Sequence, residues 1–401
     1  VPRIAMFVWN DVRNDARVLN EAKTLASAGY EVYVHGLYTD GVTPRVENVA
    51  PGVVIVRHGY QQGIRHSKPK KHTVNRNGFE LFVLMASRIF THMGVLLSFL
   101  KQRPLVIHAH DVNVLPTAWL AACICRSKLI YDAHEISSGR EGYRKIGRLV
   151  AWIEKKLMPK AGGTITTTEA RAKFFARAYK IPRSLVLQNR PRLVSVRENN
   201  RIREVLGLSH SYPIIIYQGG QQPGRGLERL VKCASDVPDA YFVFVGGGSL
   251  HDELKILTQS LGLGSRVFFI PTVSLEELPK YTASADIGIQ PIENTCLNHF
   301  TTDSNKLFEY VIAGLPVIAS RLPEIGKVVR KHDLGILVSP GDTESLSCAI
   351  RKLVNDSELR SRYRANAVQA AQTLNWETQE QGLLDFYAKI LSDRSIGESR
   401  P

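Results

Sequence analysis

At 401 residues, 44% of them hydrophobic, the chain is too long for one ordinary core and too apolar for disorder; two domains of roughly 150–200 residues each suit it. Its five cysteines are odd in number, scattered and without a Cys-x-x-Cys pair, which excludes a disulfide framework and a cysteine metal site and points to a reducing, cytoplasmic compartment. The net charge of +15 is unevenly placed: residues 1–200 hold 31 Lys and Arg against 14 Asp and Glu, the remainder 21 against 23.

The first eight residues, V-P-R-I-A-M-F-V, read as a buried strand over 4–9 rather than as a secretory apolar region. A helix over 16–28, a strand over 31–37 after the stop at Gly29, and a strand over 53–57 follow. The most basic piece is R-H-S-K-P-K-K-H over 65–72, with Arg76 after it. It leads into an apolar stretch over 79–100 interrupted by Glu80, Arg88 and His92. A spanning helix needs about 20 uninterrupted apolar residues, so these charges argue against one.

Two readings of that stretch stand: a helix covering a sheet, or the same helix with its basic entry loop on an anionic bilayer. Each Lys or Arg near such a surface contributes about 1 kcal/mol. Nucleic acid is not the expected partner, because zinc-finger, RRM and helix-turn-helix signatures are missing and basic residues do not alternate with aromatic ones.

Strands over 106–109 and 129–132 flank a helix over 115–125; a helix over 147–157 ends at Pro159, and a strand runs over 163–167. Such alternation predicts a parallel sheet covered on both faces. A polar, basic stretch over 189–211 reads as a linker without strand periodicity. A second α/β series follows, with strands over 213–218, 240–245, 267–270, 287–290 and 317–319, then helices over 358–372 and 377–392 and a polar tail. Domains over 1–190 and 191–376 result.

The richest stretch is Ser304 to Ser320, S-N-K-L-F-E-Y-V-I-A-G-L-P-V-I-A-S. Asp303 or Ser304 supplies an N-cap oxygen, while Leu307, Phe308, Val311 and Ile312 make an apolar face. Gly314 and Pro316 stop the helix. Free N–H groups, the positive end of the dipole and Lys306 form a seat for phosphate. Glu309, three residues on, lies on the same face and suits a ligand bearing hydroxyls. A nucleotide sugar has both parts.

This block resembles the donor-binding segment of the family 4 glycosyltransferases, and the likeness extends over nearly the whole chain. The resemblance implies the GT-B fold: two Rossmann-like α/β domains with parallel sheets facing across a cleft. The first would bind acceptor and the second a nucleotide sugar, with the helix over 377–392 returning to the first. It also implies a hexosyltransferase that retains anomeric configuration, in which Glu309 binds the ribose.

The family's motif carries another Glu eight residues before Glu309, where this chain has Thr301. The segment Y-Q-G-G-Q-Q-P-G-R-G-L-E over 217–228 has Gly220 where an Arg usually stands, and Arg225 at the Lys position. Arg225 and Lys306 would therefore hold the diphosphate. The turn with Gly246 and Gly247 would let nucleotide approach the backbone, and Ile270 and Thr272 lie where backbone groups read the base. Asn305 and Leu307 open the helix under the phosphates. Thr301 and Asp303 would face the donor sugar, Asp303 having a capping role open to it as well.

In the first domain, Asn10 and Arg17 belong to the loop and helix below the phosphates and beside the acceptor. Asp15 reads as a cap or a ligand contact, Arg17 as an ion-pair residue or an acceptor contact. His110 matches a family histidine near the transferred sugar. Asp132, His134 and Glu135 fall in a cluster at the cleft floor, where two carboxylates and an imidazole in five residues are costly unless used or paired. Arg140, Arg144 and Lys145 follow as candidate acceptor-phosphate contacts or a solvated helix face.

No Asp-x-Asp triplet or metal-ligand spacing occurs, so neither metal nor cofactor is expected, and cations must neutralise the leaving group, UDP being the nucleoside diphosphate expected. A glycan or lipid-linked acceptor in polysaccharide or glycolipid synthesis would fit the cationic half, with the enzyme peripheral on the inner face of the cytoplasmic membrane. Two rivals share the fold: a non-hydrolysing nucleotide-sugar epimerase, and an inactive binding subunit marked by Thr301.

Overall fold

The computed structural model describes residues 1–61, 78–139, 146–194 and 199–392. The basic loop over 65–72 with Arg76, the cations Arg140, Arg144 and Lys145, and the tail after 392 lie outside the described residues. The chain divides into two compact units: Val1–Gln188 with Gln379–Pro401, and Asn189–Thr378.

The first unit holds an eight-stranded sheet of β1 (Arg3–Phe7), β2 (Glu31–Thr39), β3 (Val46–Ala50), β4 (Val53–Gln61), β5 (Val106–His110), β6 (Lys128–Ala133), β7 (Gly163–Thr166) and β8 (Leu185–Val186). Their order in the sheet is β3-β4-β2-β1-β5-β6-β7-β8. Chain progress reverses between β1 and β5, so the loops at their carboxyl ends flank a topological switch point, where open α/β sheets bind ligands. Every residue of β5 is buried, as expected of a strand covered on both faces, and this takes His108 and His110 inside.

One expectation is corrected here: the sheet is not wholly parallel. Strand β3 pairs antiparallel with β4 through a hairpin turned at Pro51-Gly52, where Gly52 takes a φ of +75°. Its sequence, V-E-N-V-A, is short and lies on an edge half-open to water, so it carries no clear alternation.

The helix Gly78–Gln102 packs on this unit through Val95 and Phe99, both fully buried beside Phe7 and Ile107. Its stretch Phe82–Gln102 is long and apolar enough to cross a membrane by length and composition. The helix runs unbroken through Glu80, Arg88 and His92, and its buried side forms part of the core. The opposite side leaves Phe79, Phe82, Met85, Ile89, Phe90 and Leu97 exposed. The helix Glu377–Ser392 also joins this unit: Tyr387 is buried and its hydroxyl lies 2.8 Å from His108 Nδ1.

The second unit holds β9 (Ile214–Gln218), β10 (Tyr241–Val245), β11 (Val267–Ile270), β12 (Ile287–Gln290), β13 (Val317–Ser320) and β14 (Gly335–Val338), in the order β11-β10-β9-β12-β13-β14. All pairs are parallel. Its switch point lies between β9 and β12. Two apolar clusters cover the faces, one around Phe308 and Val317, the other around Phe242 and Ile350.

The stretch read as an unstructured linker contains a helix, Arg201–Leu206, closed by Gly207 at φ +63°. It is held because Ile202 is buried in the second unit's core and its N–H donates to Ser284 Oγ at 3.1 Å. A single buried residue in six leaves no readable period.

Candidate functional site

The second unit presents the carboxyl end of β9. There Gln218 links three elements: its Nε2 donates to Glu309 Oε2 at 2.6 Å, and its Oε1 accepts from Thr282 Oγ1 at 2.8 Å. Its backbone N–H donates to Tyr310 Oη at 3.3 Å, and the one proton of that hydroxyl has the carbonyls of Ile289 and Ile216 within reach at 3.1 and 3.2 Å. Glu309 is thus fixed from the next strand, and burial raises its carboxyl above the usual range against the opposing effects of Gln218 and Lys306.

Lys306 lies along the Gly219 backbone, and its Nζ is 5.3 Å from the centre of the Tyr217 ring. Burial, and after it the neighbouring positive charge of Arg225, lower its ammonium to about 8 against the opposing charge of Glu309. Among the described residues neither Arg225 nor Lys306 forms an ion pair. Two neighbouring cations with no ion-pairing carboxylate among the described residues, each beside the start of a helix, make a receptor for a polyanion.

The backbone around them is close-packed. Gly246, at φ +130°, lies where a Cβ would strike the carbonyl of Gly219, and its N–H donates to the Ile270 carbonyl at 2.9 Å. Gly226, at φ +71°, abuts the Pro291 carbonyl in the same way. Both loops therefore pack to contact distance beside Arg225 and Lys306. Gly247 and Thr272 are neighbours, the Thr272 hydroxyl 3.7 Å from where a Gly247 Cβ would sit.

Several expected roles change. Ser304 occupies the N-cap position of the helix Asn305–Ile312 with a φ of 52°, but its side chain makes no cap hydrogen bond, so the predicted capping oxygen there is corrected. Leu307 is fully buried in the apolar core, and Ile270 is buried beside it with its carbonyl taken by Gly246, so neither side chain is available to a ligand. Asn305 is exposed at the helix start. Thr301 is buried and its hydroxyl donates to the Leu297 carbonyl at 2.8 Å. Asp303 is buried too, and its charge acts on Arg190.

The first unit carries a different cluster. Asp132 accepts from Arg17 through both oxygens, Nε to Oδ2 at 2.7 Å and Nη2 to Oδ1 at 2.9 Å. Arg17 also donates to the Leu187 carbonyl at 2.6 Å and lies 3.2 Å from Glu21, one turn along its helix. His134 Nε2 is 3.1 Å from Asp132 Oδ2 and 3.2 Å from His110 Nδ1. Asp111 Oδ1 accepts from the His134 N–H at 3.0 Å. The rings of His108 and His110 stack at 4.3 Å.

Burial alone would lower His134, but the Asp132 and Asp111 carboxylates outweigh it and raise the imidazole to about 9. Burial opposes ionisation of Asp132, yet Arg17 and His134 hold it well below the usual carboxylate range. Burial pushes Glu21 up to about 8, and lowers both His108 and His110. His110 is therefore neutral beside a charged His134.

A polar cavity of about 310 Å³ opens over this cluster at the switch point, lined among others by Asn10, Asp15, His110, Asp111 and His134. Arg17, Asp132 and Glu135 do not line it, and Arg17 and Asp132 are bonded to one another beneath the histidines. His110 Nε2 has no hydrogen-bond partner among the described residues. Asn10 Nδ2 donates to Asp15 Oδ2 at 2.7 Å, while Asp15 also caps the first helix by accepting from the Val18 N–H. Glu21, His108, His110 and Asp132 lie close enough together to hold a metal ion. Arg17 already neutralises the carboxylates of that group, however, and both Asp132 oxygens are bonded to it.

Sequence reasoning missed Gln218, Glu21, Asp111, Tyr387 and Arg88. Gln218 carried a signal, as the polar end of the all-apolar run I-I-I-Y; Glu21 carried one in its spacing from Arg17.

Comparison with known proteins gives a consistent result. The family model described as Glycosyl transferases group 1 matches residues 198–370, and the one described as Glycosyl transferase 4-like domain matches residues 15–190. A D-inositol 3-phosphate glycosyltransferase from Mycolicibacterium smegmatis is 25% identical over 96% of this chain and 88% of its own length. Among solved structures, sucrose-phosphate synthase from Thermosynechococcus elongatus superimposes with a TM-score of 0.80 at 20% identity, over 98% of this chain and 100% of that one. HepE from Anabaena, solved with UDP and glucose, gives 0.72 at 16% identity over 97% and 100%. The fold these structures share is GT-B.

Proposed function

Because the chain is a family 4 glycosyltransferase, we propose that it moves a hexose from a UDP-sugar to a phosphate-bearing, lipid-linked acceptor, with retention of configuration. The observation that carries the donor half is the pair of unpaired cations, Arg225 and Lys306, beside the Glu309–Gln218 bond. Arg225 and Lys306 take the diphosphate and Glu309 the ribose hydroxyls. UDP is favoured because HepE was solved with it.

Preorganised positive charge at the leaving diphosphate is the largest catalytic contribution expected. Charged His134 donates to His110 Nδ1, so neutral His110 carries its proton on Nε2 and donates it to a sugar or acceptor hydroxyl oxygen. The departing phosphate takes the acceptor proton. No metal is required, since cationic side chains supply the charge a metal would.

The acceptor's phosphate is supported by the relatives, named for D-inositol 3-phosphate. Its lipid portion, and a place on the inner face of the cytoplasmic membrane, are supported by the exposed apolar side of Gly78–Gln102 and the cationic first half.

Thermal shift with UDP, GDP and ADP tests the donor reading: UDP should raise Tm in the wild type and not in Glu309→Gln. NMR of the product tests stereochemistry, and an inverted linkage removes retention. Vesicle binding should fade between low salt and 1 M salt if anionic lipid is the attraction.

A further inference from the structure

Beside the polar cavity runs a second, apolar groove of about 420 Å³ between the helix Gly78–Gln102 and the helix Leu115–Cys125. Met85, Ile89, Met93, Leu96, Pro116 and Leu120 line it. Four of these, Met85, Ile89, Met93 and Leu120, are exposed, so the described residues leave this surface uncovered. Its volume falls in the range of small-molecule sites.

Two residues line both cavities: Arg88 and Asn113. They are fixed to one another, Arg88 Nη2 donating to Asn113 Oδ1 at 2.9 Å. The guanidinium lies 4.6 Å above the Trp9 ring, and that ring stacks on His92 at 4.6 Å. His92 Nδ1 is 2.8 Å from Thr117 Oγ1, which ties the two helices together along the groove. A preorganised cation thus stands where a polar pocket meets an apolar one.

From this juxtaposition we infer that the groove holds the hydrocarbon chain of the acceptor, with the acceptor's phosphate at Arg88 and its reacting hydroxyl in the pocket of His110 and Asn10. The inference rests on the proposed transfer to a phosphorylated acceptor and narrows it to one class, a single-chain alkyl or isoprenyl phosphate. Charge decides between occupants. A hydrophobic peptide would meet Arg88 without an anion to pair with it, whereas a lipid phosphate offers the anion and the chain at the required places. The excess of cations over residues 1–200 favours the same choice.

The test uses the full chain and two probes below their micelle concentrations, dodecyl phosphate and butyl phosphate, with binding followed by calorimetry. The longer probe should bind at least about thirtyfold tighter, since each buried methylene adds severalfold. Met93→Glu and Leu120→Glu, both at exposed positions, should abolish that advantage and leave butyl phosphate unchanged. Arg88→Gln should weaken both probes by a similar factor of about ten. Equal affinity of the two probes would overturn the inference, as would an advantage that survives both groove variants. A neutral dodecyl maltoside binding as tightly as dodecyl phosphate would overturn it too, by removing the role of Arg88. UDP is titrated into every variant: retained UDP affinity reports an intact fold, and a wild type that fails to bind UDP defeats the donor reading while leaving the groove result to stand by itself.

Discussion

The two units treat clustered charge in opposite ways, buried in the first and half-buried in the second. In the first, Arg17, Asp132, Glu21 and His134 close on one another, and the guanidinium bonds both oxygens of Asp132 and pairs in charge with Glu21. In the second, Arg225 and Lys306 stand near each other with no ion pair among the described residues. A closed network orients its neighbours and contributes rigidity. An open pair of cations stores an unmet demand for an anion, and a ligand meets it. The same residue types therefore divide into scaffold and receptor according to whether their partner is in the chain.

The largest effect that would sharpen this contrast is in the first unit. Arg17→Met leaves Asp132 and Glu21 buried without their cation and should cost about 3–5 kcal/mol of stability. Urea denaturation checks it, with UDP affinity unchanged. A variant as stable as wild type would break the division by making Arg17 a ligand contact instead. Next, Arg225→Ala should lower kcat by about 10²–10³ while Tm stays within a degree or two, as steady-state kinetics and a melting curve would show.

The pH dependences separate the units further. His134 has a folded value of about 9, above the 6.5 of an unfolded histidine. Its contribution to stability is complete below 6.5 and is lost as pH rises through about 9. Melting temperatures between pH 6 and 10 should fall more steeply in wild type than in His134→Gln. Lys306 acts on binding instead: its ammonium is lost as pH rises through about 8. UDP affinity should then weaken by up to about tenfold per pH unit, with proton uptake seen in buffers of differing ionisation enthalpy. Lys306→Arg should show neither.

The sheets were legible because Val/Ile-rich runs such as Ile214–Gln218 are buried on both faces and leave no ambiguity. The donor segment was legible because its chemistry is local: Lys306 and Glu309 share one turn. What escaped was whatever depends on chain-distant partners. Nothing in the neighbourhood of Arg17 announces Asp132, and nothing near Glu309 announces Gln218. The apolar face of Leu307, Phe308 and Val311 was legible from helical spacing, and it lies in the core. Strand β14 and the helix Arg201–Leu206 are too short for a periodic signal.

The first unit is built from an early and a late segment of the chain, and Tyr387 reaches His108 only when the helix Glu377–Ser392 arrives. On a ribosome the middle of the protein therefore emerges complete while the earlier part still waits, with Glu21 and His108 short of a neighbour. Nascent chains halted before that helix should carry a mature nucleotide lobe on an unfinished partner, which makes the opening segment the one in need of chaperones.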